Sequence, residues 1–208
     1  MLSKKVGEGR LWKLMLLTSV FVGSLVIANV IVAKIIAAFW GLYIPAGVIA
    51  YSITFLCTDT IEEVWGKETA KVVVWCGFAA QIIALILTLV AIHWPAAPFW
   101  KNQEAYVSVL GMMPRVVLAS MVAYLVAQFH DVFAFNLWKK VTHGKYLWLR
   151  NNASTMVSQF LDSAVFVTIA FVGVTAIWPL ILGQWLSKIV IAACDTPFCY
   201  WLVSWARR

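Results

Sequence analysis

The sequence predicts an all-α integral membrane protein, crossing the bilayer six times with both ends in the cytoplasm. Three observations carry this: the composition, the lengths of the apolar runs and the placement of basic residues. Hydrophobic residues make up 63% of the 208 and charged residues only 12%, with a mean hydropathy of +0.88. A soluble domain carries about 25% charged residues, so this chain cannot coat itself in water. Its length fits one compact membrane domain over 1–208, without room for a soluble domain of ordinary size.

A spanning helix needs about 20 mostly apolar residues. The apolar runs cover roughly 13–36, 43–59, 70–93, 107–129, 154–177 and 179–204. The second is short for a span. The last two are separated only by Trp178, Pro179 and their neighbours, which predicts a tight outer turn. The runs are continuous and lack period-2 alternation, which argues against a β-barrel. The first begins after Lys4, Lys5, Arg10 and Lys13 and stays apolar from Leu14 to Ala33. That exceeds the roughly 7–15 residues of a signal-peptide core, so it reads as a retained helix.

Orientation follows from Lys and Arg. Of the 16, twelve fall in the N-terminus, the 59–71 loop, the 130–152 loop and the C-terminus. The opposite side has only Lys101, while Lys34, Arg115 and Lys188 lie within or at the ends of spans. This bias places the first side in the cytoplasm and supports an even number of crossings, because both termini carry it. Tryptophans mark both boundaries: Trp12, Trp65, Trp138, Trp148 and Trp205 inside, Trp40, Trp94, Trp100 and Trp178 outside. The net charge of +7 is dispersed between apolar runs, a pattern of membrane topology rather than of nucleic-acid binding.

Catalytic signatures are missing. There is no GxxxxGK(S/T) phosphate loop and no HExxH, and His93, His130 and His143 are scattered. The four cysteines, Cys57, Cys76, Cys194 and Cys199, form no CxxC pair and read as buried thiols rather than disulfides or metal ligands. No cofactor is expected, and little supports an intramembrane enzyme.

Polar residues inside the runs are the informative exceptions. An ionisable side chain at a helix centre costs roughly 2.5–3.5 kcal/mol on insertion scales, so it requires a partner or a wet cavity. The fifth run contains Gln159 and Asp162, the sixth Gln184, Lys188 and Asp195. At about 1.5 Å per residue, Asp162 lies about 12 Å from the inner edge and Lys188 about 14 Å from the outer one. Both fall near the midplane of adjacent antiparallel helices, where they can pair. The pair could lock the two helices together, floor a substrate site, or do both. Ser120, Tyr124, Gln128 and Asp131 form one polar stripe on the fourth run, facing the bundle. Arg115 reaches either the outer headgroups or the cavity mouth. Asn29, the strongest polar group well inside the first run, reads first as interhelical glue. Asp195-Thr196-Pro197 is expected to break the sixth helix. Asp59-Thr60-Ile61-Glu62-Glu63 reads as a helix cap with a solvated acidic turn, or alternatively as a cytoplasmic gate or proton-handling site.

These positions form an ordered pattern: Ala28-Asn29-Val30; Thr54-Phe55-Leu56-Cys57-Thr58-Asp59 with Glu63 and Gly66; Arg115, Ala119-Ser120, Tyr124, Gln128 and Asp131; Ser154-Thr155, Gln159 and Asp162-Ser163; then Lys188 and Pro197. In this order and spacing, over nearly the whole chain, the sequence resembles the queuosine precursor transporters, also called the vitamin-uptake-like transporter family. The resemblance implies a six-helix fold similar to the substrate-binding subunits of energy-coupling-factor transporters. It also implies uptake of a 7-deazaguanine base, chiefly 7-cyano-7-deazaguanine, across the cytoplasmic membrane of a prokaryote. Candidate substrate contacts are Asp162, Gln159, Lys188, Asn29, Gln128, Tyr124, Arg115 and Ser120. Phe166, Tyr124 or Trp185 could supply an aromatic wall. Asp59, Asp131 and Asp195 are candidates for gating or ion coupling. Two rivals to a self-sufficient importer are a binding subunit that needs a separate energising complex, and a membrane enzyme or scaffold. The partners expected are the base and the lipid bilayer, not nucleic acid; small residues in the helices permit a homodimer without requiring one.

Overall fold

The structure, a computed structural model, describes residues 8–38, 41–141 and 147–207. Side chains at 8–9, 128, 131–132, 134–141 and 147–155 are outside the described set. In chain order the elements are α1 (Glu8–Ile31), β1 (Ile35–Ala37), β2 (Tyr43–Pro45), α2 (Gly47–Trp65), α3 (Lys67–His93), α4 (Gln103–Leu110), α5 (Met113–Val141), α6 (Leu147–Phe171) and α7 (Ile177–Arg207). The chain divides into two compact units: Met1–Lys34, Ala46–Met113 and Val190–Arg208 form the first, Ile35–Pro45 and Pro114–Ile189 the second.

Four stretches are long and apolar enough to cross a membrane: Arg10–Ile31, Lys67–His93, Gln103–Ala127 and Ile177–Arg207. This makes the protein a mostly helical, multi-pass membrane protein. α2 falls short because Asp59, Glu62 and Glu63 crowd its last turns, and α6 adds the shorter apolar stretch Met156–Phe171.

In the first unit α1, α2 and α3 pack on one apolar stripe. Leu17, Phe21 and Leu25, spaced by four, meet Cys57 and Ile61 of α2 and Ala70 and Val73 of α3. Glycines permit the close approaches. A Cβ at Gly77 would stand 2.7 Å from both Phe21 and Leu25, and one at Gly47 would stand 2.9 Å from the Ala28 carbonyl. The ends of three helices are clamped together. The Lys13 ammonium is buried, donates to the Trp205 carbonyl (2.9 Å) and lies 5.1 Å from the Trp205 ring. Arg10 donates to the Val64 carbonyl and covers Trp65, and Arg207 pairs with Glu63 at 2.5 Å. A cation at the last carbonyls of α7 also complements the helix dipole.

In the second unit the buried residues are Val116, Val117, Ala119 and Ala123 on α5, Phe166, Val167, Ala170 and Phe171 on α6, and Leu180 and Ile181 on α7. The two strands pair antiparallel with Ile35 opposite Pro45 and Ala37 opposite Tyr43. The strand β2 lies on α7: a Cβ at Gly183 would stand 2.1 Å from the Tyr43 carbonyl oxygen.

Several expectations are corrected. The fold is mostly helical and consistent with an all-α membrane protein, but the tail of the first run leaves the helix after Ile31 and forms this short hairpin, with Gly41 at φ 76°. β-Branched Ile35-Ile36 and the pair Tyr43-Ile44 flanking a glycine favour it. The 59–71 loop shrinks to Gly66, whose φ of 88° links α2 directly to α3. Asp59 to Glu63 are therefore helical rather than a cap. The fourth run is interrupted at Gly111-Met112, and Pro114 sits in the first turn of α5, where its missing N–H does no harm. The outer turn lies at 172–176, with Gly173 at φ 81°, while Trp178-Pro179 opens α7. α7 runs unbroken through Asp195-Thr196-Pro197. Proline removes the N–H that would serve the Ala193 carbonyl, but Thr196 Oγ1 bonds the neighbouring Ala192 carbonyl at 3.1 Å. All four cysteines are free, yet only Cys57 is buried; Cys76 and Cys194 face outward. Trp94, Trp100 and Trp178 are exposed, whereas Trp40 and the side chains of Trp138 and Trp148 lie outside the described residues.

Gly183 and Gly23 make a controlled pair, since a Cβ at Gly23 meets nothing within 4 Å. Gly183→Ala is expected to lower thermal stability in detergent by about 1–3 kcal/mol through overpacking. Gly23→Ala should be neutral or stabilising by up to about 1 kcal/mol. Equal melting temperatures for the two variants would refute the seating of the hairpin on α7.

Candidate functional site

The site is built on α6 and α7, adjacent antiparallel helices joined by the turn at 172–176. Lys188 Nζ donates to Asp162 Oδ2 in a salt bridge. The lysine side chain is only 9% exposed and the carboxylate 24%. The pair therefore has one sealed end and one accessible end. Gln159, half-buried, precedes Asp162 by three residues on the same helix. Aromatic groups frame the region: Trp185 donates its Nε1–H to the Met156 carbonyl (3.2 Å) and meets Phe160 edge-on at 5.5 Å. Phe166 is buried and meets Phe171 at 6.3 Å.

Deeper in the same unit, two polar groups stand out. Ser163 Oγ and Gln184 Oε1 are buried with no hydrogen-bond partner among the described residues. Gln184, 5% exposed, lies one turn of α7 before Lys188. An unpaired buried polar atom costs roughly 1–3 kcal/mol, so each is a weakness in packing that a ligand atom can relieve. Toward the other end of α6, His130 on α5 bonds Ser158 at 3.0 Å.

The remaining candidates divide. Arg115 caps α6, donating from Nε to the Ile169 carbonyl (2.5 Å) and from a terminal nitrogen to the Val172 carbonyl (2.7 Å). This serves a helix end rather than the headgroups. Ser120 is buried on α5 and Tyr124 faces outward. Gln128 and Asp131 are on α5, but their side chains lie outside the described residues. Asn29 belongs to the first unit, 3% exposed, with both amide atoms unpartnered. Also in the first unit, α7 brings Asp195 within electrostatic range of Asp59 on α2, and the Cys199 thiol bonds Thr60. Sequence reasoning passed over Gln81 on α3, 1% exposed with an unpartnered Oε1. Its signal was available: it is the sole amide of its apolar run.

Comparison with known proteins gives the site its context. The family described as "Putative vitamin uptake transporter" matches residues 45–202. A "Probable queuosine precursor transporter" of Bacillus subtilis (strain 168) is 31% identical over 180 residues, which is 84% of this chain and 78% of that protein. The "Queuosine precursor transporter" of Escherichia coli (strain K12) is 28% identical over 131 residues, 63% of this chain and 57% of its own length. A "Probable queuosine precursor transporter" of Haemophilus influenzae is 27% identical over 125 residues, with 60% and 51% covered. The matched segments thus span just over half of the last two proteins. No solved structure matches the chain. The match covers α2 through most of α7, including the Asp162–Lys188 pair: the chain belongs to the vitamin uptake transporter family, with the queuosine precursor transporters, and is a multi-pass membrane transporter rather than an enzyme.

Proposed function

We propose that the protein imports a queuosine precursor, 7-cyano-7-deazaguanine, across the cytoplasmic membrane of a prokaryote. The observation that carries this reading is the part-buried Asp162–Lys188 pair, in a chain whose relatives are named queuosine precursor transporters. A guanine-type edge offers a ring N–H and an exocyclic amine as donors and a carbonyl as acceptor. A carboxylate takes two parallel donated bonds, and an ammonium serves the carbonyl. Asp162, through its exposed side, takes the donors, and Lys188 takes the carbonyl oxygen. Trp185 or Phe166 stacks on the ring. Gln159, Ser120, Tyr124, Gln128 and Asn29 are the further contacts proposed along the path, with Arg115 holding the end of α6. Asp59, Asp131 and Asp195 are proposed for gating or ion coupling.

The membrane topology proposed for this role has six crossings in a single domain, with both ends in the cytoplasm. The contact of Lys13 near the start of α1 with Trp205 near the end of α7 supports termini on one side. The acidic last turns of α2 and the single-residue link at Gly66 support a helical hairpin that turns at the cytoplasmic face.

Ligand-dependent thermal stabilisation is the direct test. At a hundred times its dissociation constant, 7-cyano-7-deazaguanine should add about 2.7 kcal/mol to native-state stability. A flat response across purine-like bases sinks the substrate assignment. Reconstituted alone, the chain should accumulate the base in vesicles; binding without accumulation points instead to a subunit that needs an energising complex.

Asp162→Asn and Lys188→Met are each expected to cut uptake at least tenfold at normal expression. Each should also destabilise the protein by less than the roughly 3–5 kcal/mol of a fully buried broken pair, because Asp162 keeps part of its exposure. The double variant should recover stability but not uptake. Normal uptake in both single variants would reduce the pair to a helix lock.

A further inference from the structure

Two features of the second unit are left over once the ion pair has been assigned. One is the buried, unpartnered Oε1 of Gln184. The other is the seat of the hairpin on the residue before it, Gly183. The acceptor atom of Gln184 is thus buried without a partner next to a backbone-to-backbone contact.

Gln184 and Lys188 are four residues apart, so they project from the same face of α7 and are separated by about 6 Å along its axis. That span is comparable with the hydrogen-bonding edge of a purine-like base. On α6, Ser163 follows Asp162 directly, and its hydroxyl is also buried without a partner among the described residues. The polar groups of these two helices are thus Gln184 and Lys188 on one face of α7 and the neighbours Asp162 and Ser163 on α6, with Asp162 the more accessible partner of the ion pair. At Gly183, the residue before Gln184, β2 approaches α7 so closely that no side chain fits between them. Gln184 has apolar neighbours on its own helix, Leu180 and Ile181, both buried. An amide held there is disfavoured for packing alone, since a buried acceptor left unmade costs more than an apolar residue of the same shape.

We propose that Gln184 is the specificity-determining residue for the transported base, accepting a hydrogen bond at Oε1 from the exocyclic amine. This rests on the transport reading above. An exocyclic amine has two hydrogens. The Asp162 carboxylate takes one of them together with the ring N–H, and Gln184 takes the other. Lys188 remains on the carbonyl oxygen, and Ser163 lies within the same polar lining. A base that lacks the amine leaves Gln184 Oε1 as unpaired as it is in the free protein and forfeits the gain. A buried site built around a donor of the substrate discriminates against the analogue without it more strongly than any apolar pocket can discriminate by shape.

The experiment compares binding of 7-cyano-7-deazaguanine with that of its analogue lacking the exocyclic amine. Each is measured by thermal stabilisation of the purified full chain and by competition for uptake in cells. Wild type should prefer the amino base by about tenfold or more. Gln184→Met, close in shape and without an acceptor, should bring that ratio near one while retaining the melting temperature of the free protein. Gln184→Glu, which keeps an acceptor, should retain the preference. If the methionine variant does not fold, Gln184→Asn, with its carbonyl withdrawn by one methylene, carries the test and should lose most of the ratio. An unchanged ratio in the methionine or asparagine variant, or a wild-type ratio near one, overturns the assignment of Gln184 and leaves the transport reading standing. No response of wild type to either base overturns both.

Discussion

Polar atoms surrounded by hydrocarbon must find their partners inside the protein, and nearly every local feature of this chain answers to that constraint. Hydroxyls bond back to their own helices: Thr18 to the Leu14 carbonyl, Thr60 to Leu56, Thr196 to Ala192. Arg115 closes the end of α6, and Lys13 the end of α7. Asp162 and Lys188 neutralise one another. Against this background the exceptions become conspicuous. Asn29, Gln81, Ser163 and Gln184 keep buried polar atoms unpartnered among the described residues.

The asymmetry of the ion pair matters as much as its presence. An ion pair sealed at both ends would hold α6 to α7 and offer nothing to a solute. Here the lysine is enclosed while the carboxylate keeps an accessible side, so a donor can approach Asp162 without first breaking the bond. In the proposed transport reading, a pair of this kind is both a structural tie and a binding surface. The two roles are separable in principle, because stability responds to the charge balance of the pair whereas recognition responds to the geometry of its free oxygen.

Much of this was legible in the sequence, for identifiable reasons. Continuous apolar runs locate α1, α3 and α7 to within a few residues, because a membrane helix must satisfy its length and its hydropathy locally. The Asp162–Lys188 pair was legible too, since depth along two consecutive antiparallel helices follows from counting residues. What escaped depends on tertiary context. Ile35 and Ile36 continue the first apolar run, and only pairing with Tyr43–Pro45 makes them a strand. Pro197 carries a break signal, yet α7 runs unbroken through it. Arg115 looked free to reach a headgroup because the two carbonyls it bonds lie more than fifty residues away along the chain. Gln184 was visible as a polar residue, but its lack of a partner is a fact of packing that no spacing rule contains.

The one-residue joint at Gly66 has a consequence for how α2 and α3 lie together. α2 carries three carboxylates in its last turns and falls short of a span by composition, whereas α3 has a mean hydropathy of 2.4. The penalty for an acidic group is greatest at a helix centre and smallest at its end, where α2 carries its carboxylates. The Gly66 joint, with its positive φ and no slack, folds α2 back on α3 and sets α2's acidic turns beside the start of its partner. The two helices thus form one hairpin, in which the more apolar α3 lies against the more acidic α2.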